Sequence, residues 1–244
     1  MARRRSADFL ERLYNAALAV FARRGLKQAR MSDIAREMGV AQGSIYNYVK
    51  SKEALFSWLV DLGITPPGPG LPDDLPIRGK PLEQLATRLR AQIGRVFALP
   101  KLTAALSRPQ PSDIAREWTE IVDELYDRTY ASRLQADAIE RSARDIPELF
   151  RVFYAGVRRS LVNDLARYIE GRSASGYFVQ VTDAVVAARF VIETVTFFAR
   201  HRFNDPDLPP GDEAHVRRTV VGLLERSLSN PEPTRRRQRD RVSY

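Results

Sequence analysis

Residues 42–48 set two carboxamides, a hydroxyl, a glycine and two phenols around one aliphatic residue: Gln42, Gly43, Ser44, Ile45, Tyr46, Asn47 and Tyr48. This is hydrogen-bonding chemistry rather than bond-making chemistry. Gln42 and Asn47 are able to pair bidentately with an adenine edge, and Ser44 bonds as donor or acceptor. Gly43 permits close approach. The hydroxyls of Tyr46, Tyr48 and Ser32 suit phosphate oxygens, which fix register without reading sequence. Lys50 and Lys52 flank the start of the next helix, where unpaired backbone N–H groups also favour a phosphate. Arg3, Arg4 and Arg5 form a basic run suited to an arm along a phosphate backbone or in a minor groove. Other readings stay open at this point: Tyr46 half-buried against neighbouring helices, the two lysines as plain surface charges, and the arginine run as a solvated tail.

Bond-making chemistry lacks its parts. The chain has no Cys and only two His, His201 and His215, which excludes thiolate nucleophiles, disulfides and a His-rich metal site. There is no Gly-rich phosphate loop, nucleophile elbow or metal-ligand spacing. The adjacent acids Asp73 and Asp74 lie in a Pro-rich stretch, a poor platform for paired carboxylates. No catalytic residue, metal ligand or cofactor is expected.

The charge distribution supports the polyanion reading. The 244 residues carry a net +9. Residues 1–60 hold eleven Lys/Arg against five Asp/Glu, residues 230–244 five against two, and residues 61–229 equal numbers. The excess therefore sits at the ends, the larger part where the hydrogen-bonding cluster lies. A basic end that merely aids solubility is the alternative. The apolar tract at 184–198 is interrupted by Arg189 and Glu193 and is too short to span a bilayer. The start of the chain has no apolar core of a signal peptide. A soluble, cytoplasmic protein with no membrane partner is expected.

The elements that must position the cluster read as helices. Phe9, Leu13, Ala17, Val20 and Phe21 recur at helical spacing over 7–24, with Gly25 as a C-terminal glycine. A short helix over 32–38 is expected to be N-capped by Ser32 and closed by Gly39-Val40 in a Schellman-type stop. A second short helix covers 41 to about 49, anchored by Ile45. Ser51 caps the next one, with Glu53 in its first turn. Two short helices joined by a tight glycine turn are a helix-turn-helix layout. Residues 63–81 contain six Pro and four Gly and read as a mobile or extended linker. Further helices are expected over 82–97, 101–107, 112–143, 145–171, 179–200 and 212–228, the one at 145 starting with a capping box of Asp145 and Glu148. The fold class is all-α, with about nine to ten helices: a three-helix DNA-binding domain at 1–60, a helical ligand-binding and dimerisation bundle at 61–229, and a basic disordered tail at 230–244.

Residues 8–60 resemble the DNA-binding domain of the tetracycline-repressor (TetR) family of transcription regulators. The resemblance is carried by Ala16-Ala17, by Phe21 to Gly25, by the run Met31 to Val40, and by Tyr46, Tyr48, Val49, Ser51, Lys52, Glu53 and Leu55. Val49 stands where Phe is usual and Met31 where Thr often opens the motif. The resemblance implies a homodimeric repressor that docks two recognition helices on a palindromic operator in double-stranded DNA, and that a small molecule releases. By motif position, Gln42, Gly43, Ser44, Tyr46, Asn47 and Tyr48 face bases or phosphates, with Ser32, Lys50 and Lys52 on phosphate.

A dimer also follows from geometry, because two half-sites about 34–36 Å apart, or a multiple, need two heads. The helices at 145–171 and 179–200 are the expected dimer surface. Trp118, Tyr126, Tyr130, Phe150, Phe153, Tyr154, Phe190 and Phe197 are candidate aromatic lining for an apolar, amphipathic or aromatic effector, with simple core packing as the competing reading. Glu193 lies in an apolar run and needs a partner, either Arg189 or a ligand. An enzyme, and a membrane-surface protein anchored by residues 235–241, are the other classes; the first lacks a site and the second lacks an apolar face.

Overall fold

The computed structural model describes residues 2–63, 74–80, 84, 87–91, 94, 98–108, 110–208 and 211–230. The expected linker core at 64–73, most of the expected helix at 82–97 and the basic tail after residue 230 lie outside them. The described residues are almost wholly helical, with no strand beyond two isolated bridges. None of their helices is long and apolar enough to cross a membrane. The chain packs as two compact units, Met1–Ala98 with Ala131–Arg159, and Leu99–Tyr130 with Ser160–Tyr244.

The first unit is built on α1 (Ala2–Gln28), α2 (Met31–Met38), α3 (Gln42–Tyr46) and α4 (Lys52–Leu62). Gly25 breaks α1 with φ 70° and ψ 169°, backbone that only glycine adopts without strain. Its missing Cβ also matters: one placed there would sit 3.2 Å from the backbone of Arg141. Gly39 closes α2 in the left-handed region, and the Val40 N–H donates to the Ala35 carbonyl at 3.0 Å, the expected Schellman pattern. The start of α2 differs from expectation. Arg30, not Ser32, is the N-cap; Met31 turns into the core, and the Asp33 carboxylate accepts the Arg30 N–H at 3.1 Å. Ser32 is thereby left exposed in the first turn. Ser51 caps α4 as expected, its Oγ accepting the Ala54 N–H.

These helices do not close a core alone. Leu13, Phe21, Ile34, Ile45, Leu55 and Phe56 share one buried cluster with Ala138, Ala143, Leu149 and Val152. The latter come from α7 (Arg133–Ala143), from α8 (Pro147–Phe150) and from the π-helical stretch that follows it. The Leu26 N–H donates to the buried Ser142 hydroxyl at 2.9 Å. The units therefore divide the chain otherwise than at residue 60: helices α1 to α4 share their core with residues from α7 onward.

The second unit holds α5 (Pro100–Leu106), α6 (Ile114–Ala131), α9 (Arg159–Ala174), α10 (Ala184–Ala199) and α11 (Glu213–Leu228). The single helix expected over 112–143 is two helices, α6 and α7, parted at Ser132, which offers no side-chain cap. The capping box expected at Asp145 does not form; Ile146 is the cap and Pro147 opens α8. A π-helical stretch, Arg151–Arg158, continues α8 into α9. Trp118 is fully buried, stacked on Tyr168 at 5.9 Å and edge-on to Phe178, with its indole N–H on the Leu224 carbonyl. Arg172, also buried, donates to the Glu117 carboxylate and to the Ala105 and Arg108 carbonyls, so its charge is paired where desolvation would otherwise be costly.

Candidate nucleic-acid interface

The α2–α3 pair places the sequence cluster on one surface. Ile45 is the only buried side chain of α3. Gln42, Gly43, Tyr46 and Asn47 are exposed and Ser44 partly so. Tyr46 is 43% exposed; its hydroxyl accepts from the Gln42 carboxamide at 3.3 Å. Helix α3 is shorter than expected: it ends at Tyr46, and Asn47 and Tyr48 form a turn. Tyr48 is half-buried, its ring stacked on Phe9 at 4.3 Å. Lys50 is exposed. For Arg3, Arg4 and Arg5, the backbone lies in the first turn of α1.

Lys52 has a structural partner that sequence reasoning did not supply. Its ammonium donates to the carbonyls of Lys27 and Ala29, both at 3.0 Å. It closes the C-terminal end of α1, where unpaired carbonyls favour a cation. Arg12 does the same for α2, donating to the Met38 carbonyl at 2.8 Å. Carbonyl capping across helices leaves no signal in the sequence, because donor and acceptor lie several helical turns apart along the chain.

Residues 13–58 match the family model of bacterial regulatory proteins of the tetR family. The match is to a tetR-family head within the chain. No curated protein matches the chain as a whole. Among solved structures, the chain is similar to the ketosteroid transcriptional regulator KstR2 of Mycobacterium tuberculosis, at 16% identity over 89% of this chain and 93% of that one, TM-score 0.56. It is also similar to a bacterial regulatory protein in the tetR family from Rhodococcus RHA1, at 20% identity over 89% and 95%, TM-score 0.53. At these identities the likeness is one of fold, and it spans most of the chain.

The candidate ligand residues are dispersed. Phe150, Phe153 and Tyr154 belong to the first unit; Trp118, Tyr126, Tyr130, Phe190, Glu193 and Phe197 to the second. Trp118 and Phe153 are core. Phe150 is exposed and lies against Tyr154, whose hydroxyl donates to Glu140 at 2.7 Å; burial and this carboxylate push the Tyr154 phenol up to about 12. Tyr126 and Tyr130 line a cleft of about 750 Å³ between α6 and α11, with Asp123, Asp127, Glu213 and Arg217. The Tyr126 hydroxyl donates to Glu213 at 2.7 Å, and Glu213 also pairs with Arg202. Burial, then the Glu213 bond, raises the Tyr126 phenol well above its usual value. Arg217 bridges Asp123 and Asp127.

Phe190 stands elsewhere, in an apolar groove of about 300 Å³ between α10 and α11, with Thr194, Val216 and Leu223. The apolar circumference of α10 suggests burial on several sides; instead Val185, Val186, Phe190 and Phe197 are exposed, Phe190 at 59%. Glu193 is exposed among them and pairs with Arg189 at 3.7 Å, the internal partner rather than a buried charge. On α9 the outward positions Asn163, Arg167 and Glu170 are polar; its apolar side chains Val162, Leu165, Ala166 and Ile169 are spent on the unit's own core.

Proposed function

We propose that the chain is a ligand-responsive transcription regulator that represses by binding a palindromic operator as a homodimer and is released by a small molecule. The observation that carries this reading is α3: one buried anchor, Ile45, and an outer face of Gln42, Gly43, Ser44, Tyr46 and Asn47 within a TetR-family head. Such a face suits a major groove. Lys50 and Ser32 serve phosphates, as do Arg3, Arg4 and Arg5; Lys52 completes α1 and, at most, shares its charge with a phosphate. Nothing in this mechanism calls for a catalytic residue or cofactor.

The second copy sits on the exposed apolar face of α10 with Leu223 of α11. Exposed patches of this kind mark protein contacts, and two helices from each subunit make a four-helix interface. The polar outer face of α9 argues for a smaller share from 145–171 than the sequence suggested. The effector enters the α6–α11 cleft, where two phenols beside Arg217 and the carboxylates suit an amphipathic molecule with an aromatic or apolar body. Binding of the purified protein to DNA upstream of its own gene tests the whole reading. Affinity is expected to fall steeply with salt and to be lost on adding the effector. Equal affinity for every DNA sequence, at every salt concentration, sinks it.

A further inference from the structure

Part of the expected linker is docked, not free. Ile77 forms a parallel bridge with Val49. Its N–H donates to the Tyr48 carbonyl at 2.8 Å, and the Lys50 N–H donates to its carbonyl at 3.0 Å. Its side chain joins the core of the first unit. Two residues on, Gly79 lies so close to α4 that a Cβ there would stand 2.4 Å from the Ala54 Cα. Lys80 then donates its N–H to the buried Ser57 hydroxyl, which also accepts from Arg88. Arg88 pairs with Asp61. The segment thus starts on the turn that leaves α3 and runs on to α4.

We propose that residues 75–80 are a strap that sets the pose of α3 on DNA, with Ile77 and Gly79 as positioning residues that touch no DNA themselves. The proposal rests on the DNA-binding reading above. Helix α3 has five residues and one buried side chain, too little to hold its own direction. What fixes its exit is main-chain hydrogen bonding on both sides of Val49, and both bonds come from Ile77. The bonds use backbone groups only, so they leave Gln42, Ser44 and Asn47 free to face outward. The fit at Gly79 is steric: no side chain is tolerated against backbone at that distance, so the strap docks only because residue 79 has none.

The test uses the full chain with Gly79→Ala and, separately, Ser57→Ala, which loosens the far end without a clash. Three quantities are read: affinity for the upstream DNA, affinity for unrelated DNA of the same length, and amide exchange at Lys50. The expected result is faster Lys50 exchange and about tenfold weaker binding to the upstream DNA, with affinity for unrelated DNA unchanged. A purely structural role moves both affinities together with the thermal midpoint. Faster exchange with an unaltered ratio of the two affinities overturns the proposal, as does unaltered Lys50 exchange in Ser57→Ala. Should Gly79→Ala fail to fold, Ser57→Ala by itself decides between these outcomes. If the unaltered chain shows no preference for the upstream DNA, the DNA-binding reading itself fails and the strap proposal with it; loss of preference in the variants alone speaks to the strap.

Discussion

Helices α3 and α10 are alike in one respect and opposite in another. Each buries part of its surface in its own unit and leaves the rest exposed. The exposed part of α3 is polar, small and phenolic; that of α10 is Val185, Val186, Phe190 and Phe197 beside the Arg189–Glu193 ion pair. A polar exposed face stays solvated until a hydrogen-bonding partner arrives, whereas an apolar one gains by excluding water from any complementary apolar surface. Under the proposed function, the contrast separates two kinds of partner: an edge-reading contact through α3, and a second copy of the chain through α10. On that reading Phe190, a candidate ligand contact by sequence, belongs to the proposed dimer contact.

The sharpest way to break the comparison is Phe190→Asp. The side chain is exposed, so the fold is expected to survive, while sedimentation shows a monomer and operator affinity falls about 10²- to 10⁴-fold through loss of the two-headed contact. An unchanged dimer places the interface elsewhere. Next in size is Gly25→Ala, which forces a side chain into positive φ against the Arg141 backbone; a loss of about 2–3 kcal/mol in unfolding free energy is expected in chemical denaturation. Gln42→Ala and Asn47→Ala are each expected to cost about 1–3 kcal/mol of discrimination against a changed base, with unrelated DNA bound as before.

Smaller effects separate the two lysines. Lys50→Ala is expected to flatten the salt dependence of DNA binding by about one phosphate contact per head and leave the thermal midpoint alone. Lys52→Met is expected to do the reverse, costing about 1 kcal/mol of stability as the α1 carbonyls lose their cap. A flattened salt slope in Lys52→Met assigns it to phosphate after all. The smallest effect lies at alkaline pH. Tyr154 in the first unit, and Tyr126 and Tyr168 in the second, have phenols raised first by burial and then by carboxylate neighbours. Folded tyrosines then hold protons that unfolded ones release above about pH 10, so stability is full below that pH and falls as pH rises. Tyr126→Phe is expected to reduce this alkaline loss, measured as the denaturation midpoint across pH.

The head is largely legible because its signals are local. Gly25 and Gly39 mark positive φ, Ser51 marks a cap, and Ile45 amid polar residues marks a helix with one inward side. The departures share a cause. Ser32 suits a cap by residue type, but a reciprocal bond between Asp33 and the Arg30 backbone, with Met31 drawn into the core, moves the helix start. Glu193 has the apolar neighbours of a buried charge, yet apolar neighbours on an exposed face signal an interface. The strap is hidden because Pro and Gly disfavour helix without saying what an extended segment touches. An aliphatic Ile77 directly after Pro76 is the one available hint.

By itself the sequence determined the helical class, the helix-turn-helix, the hydrogen-bonding side chains of residues 42–48 and their basic setting, since each depends on residue type and spacing within a few turns. Tertiary structure alone decided that α7 completes the core of the first unit, that Lys52 caps α1, that the candidate effector aromatics divide between two units, and that Ile77 and Gly79 fasten a strap behind α3. Those outcomes depend on which distant backbone atoms come within hydrogen-bond or van der Waals reach, and no local pattern encodes that distance.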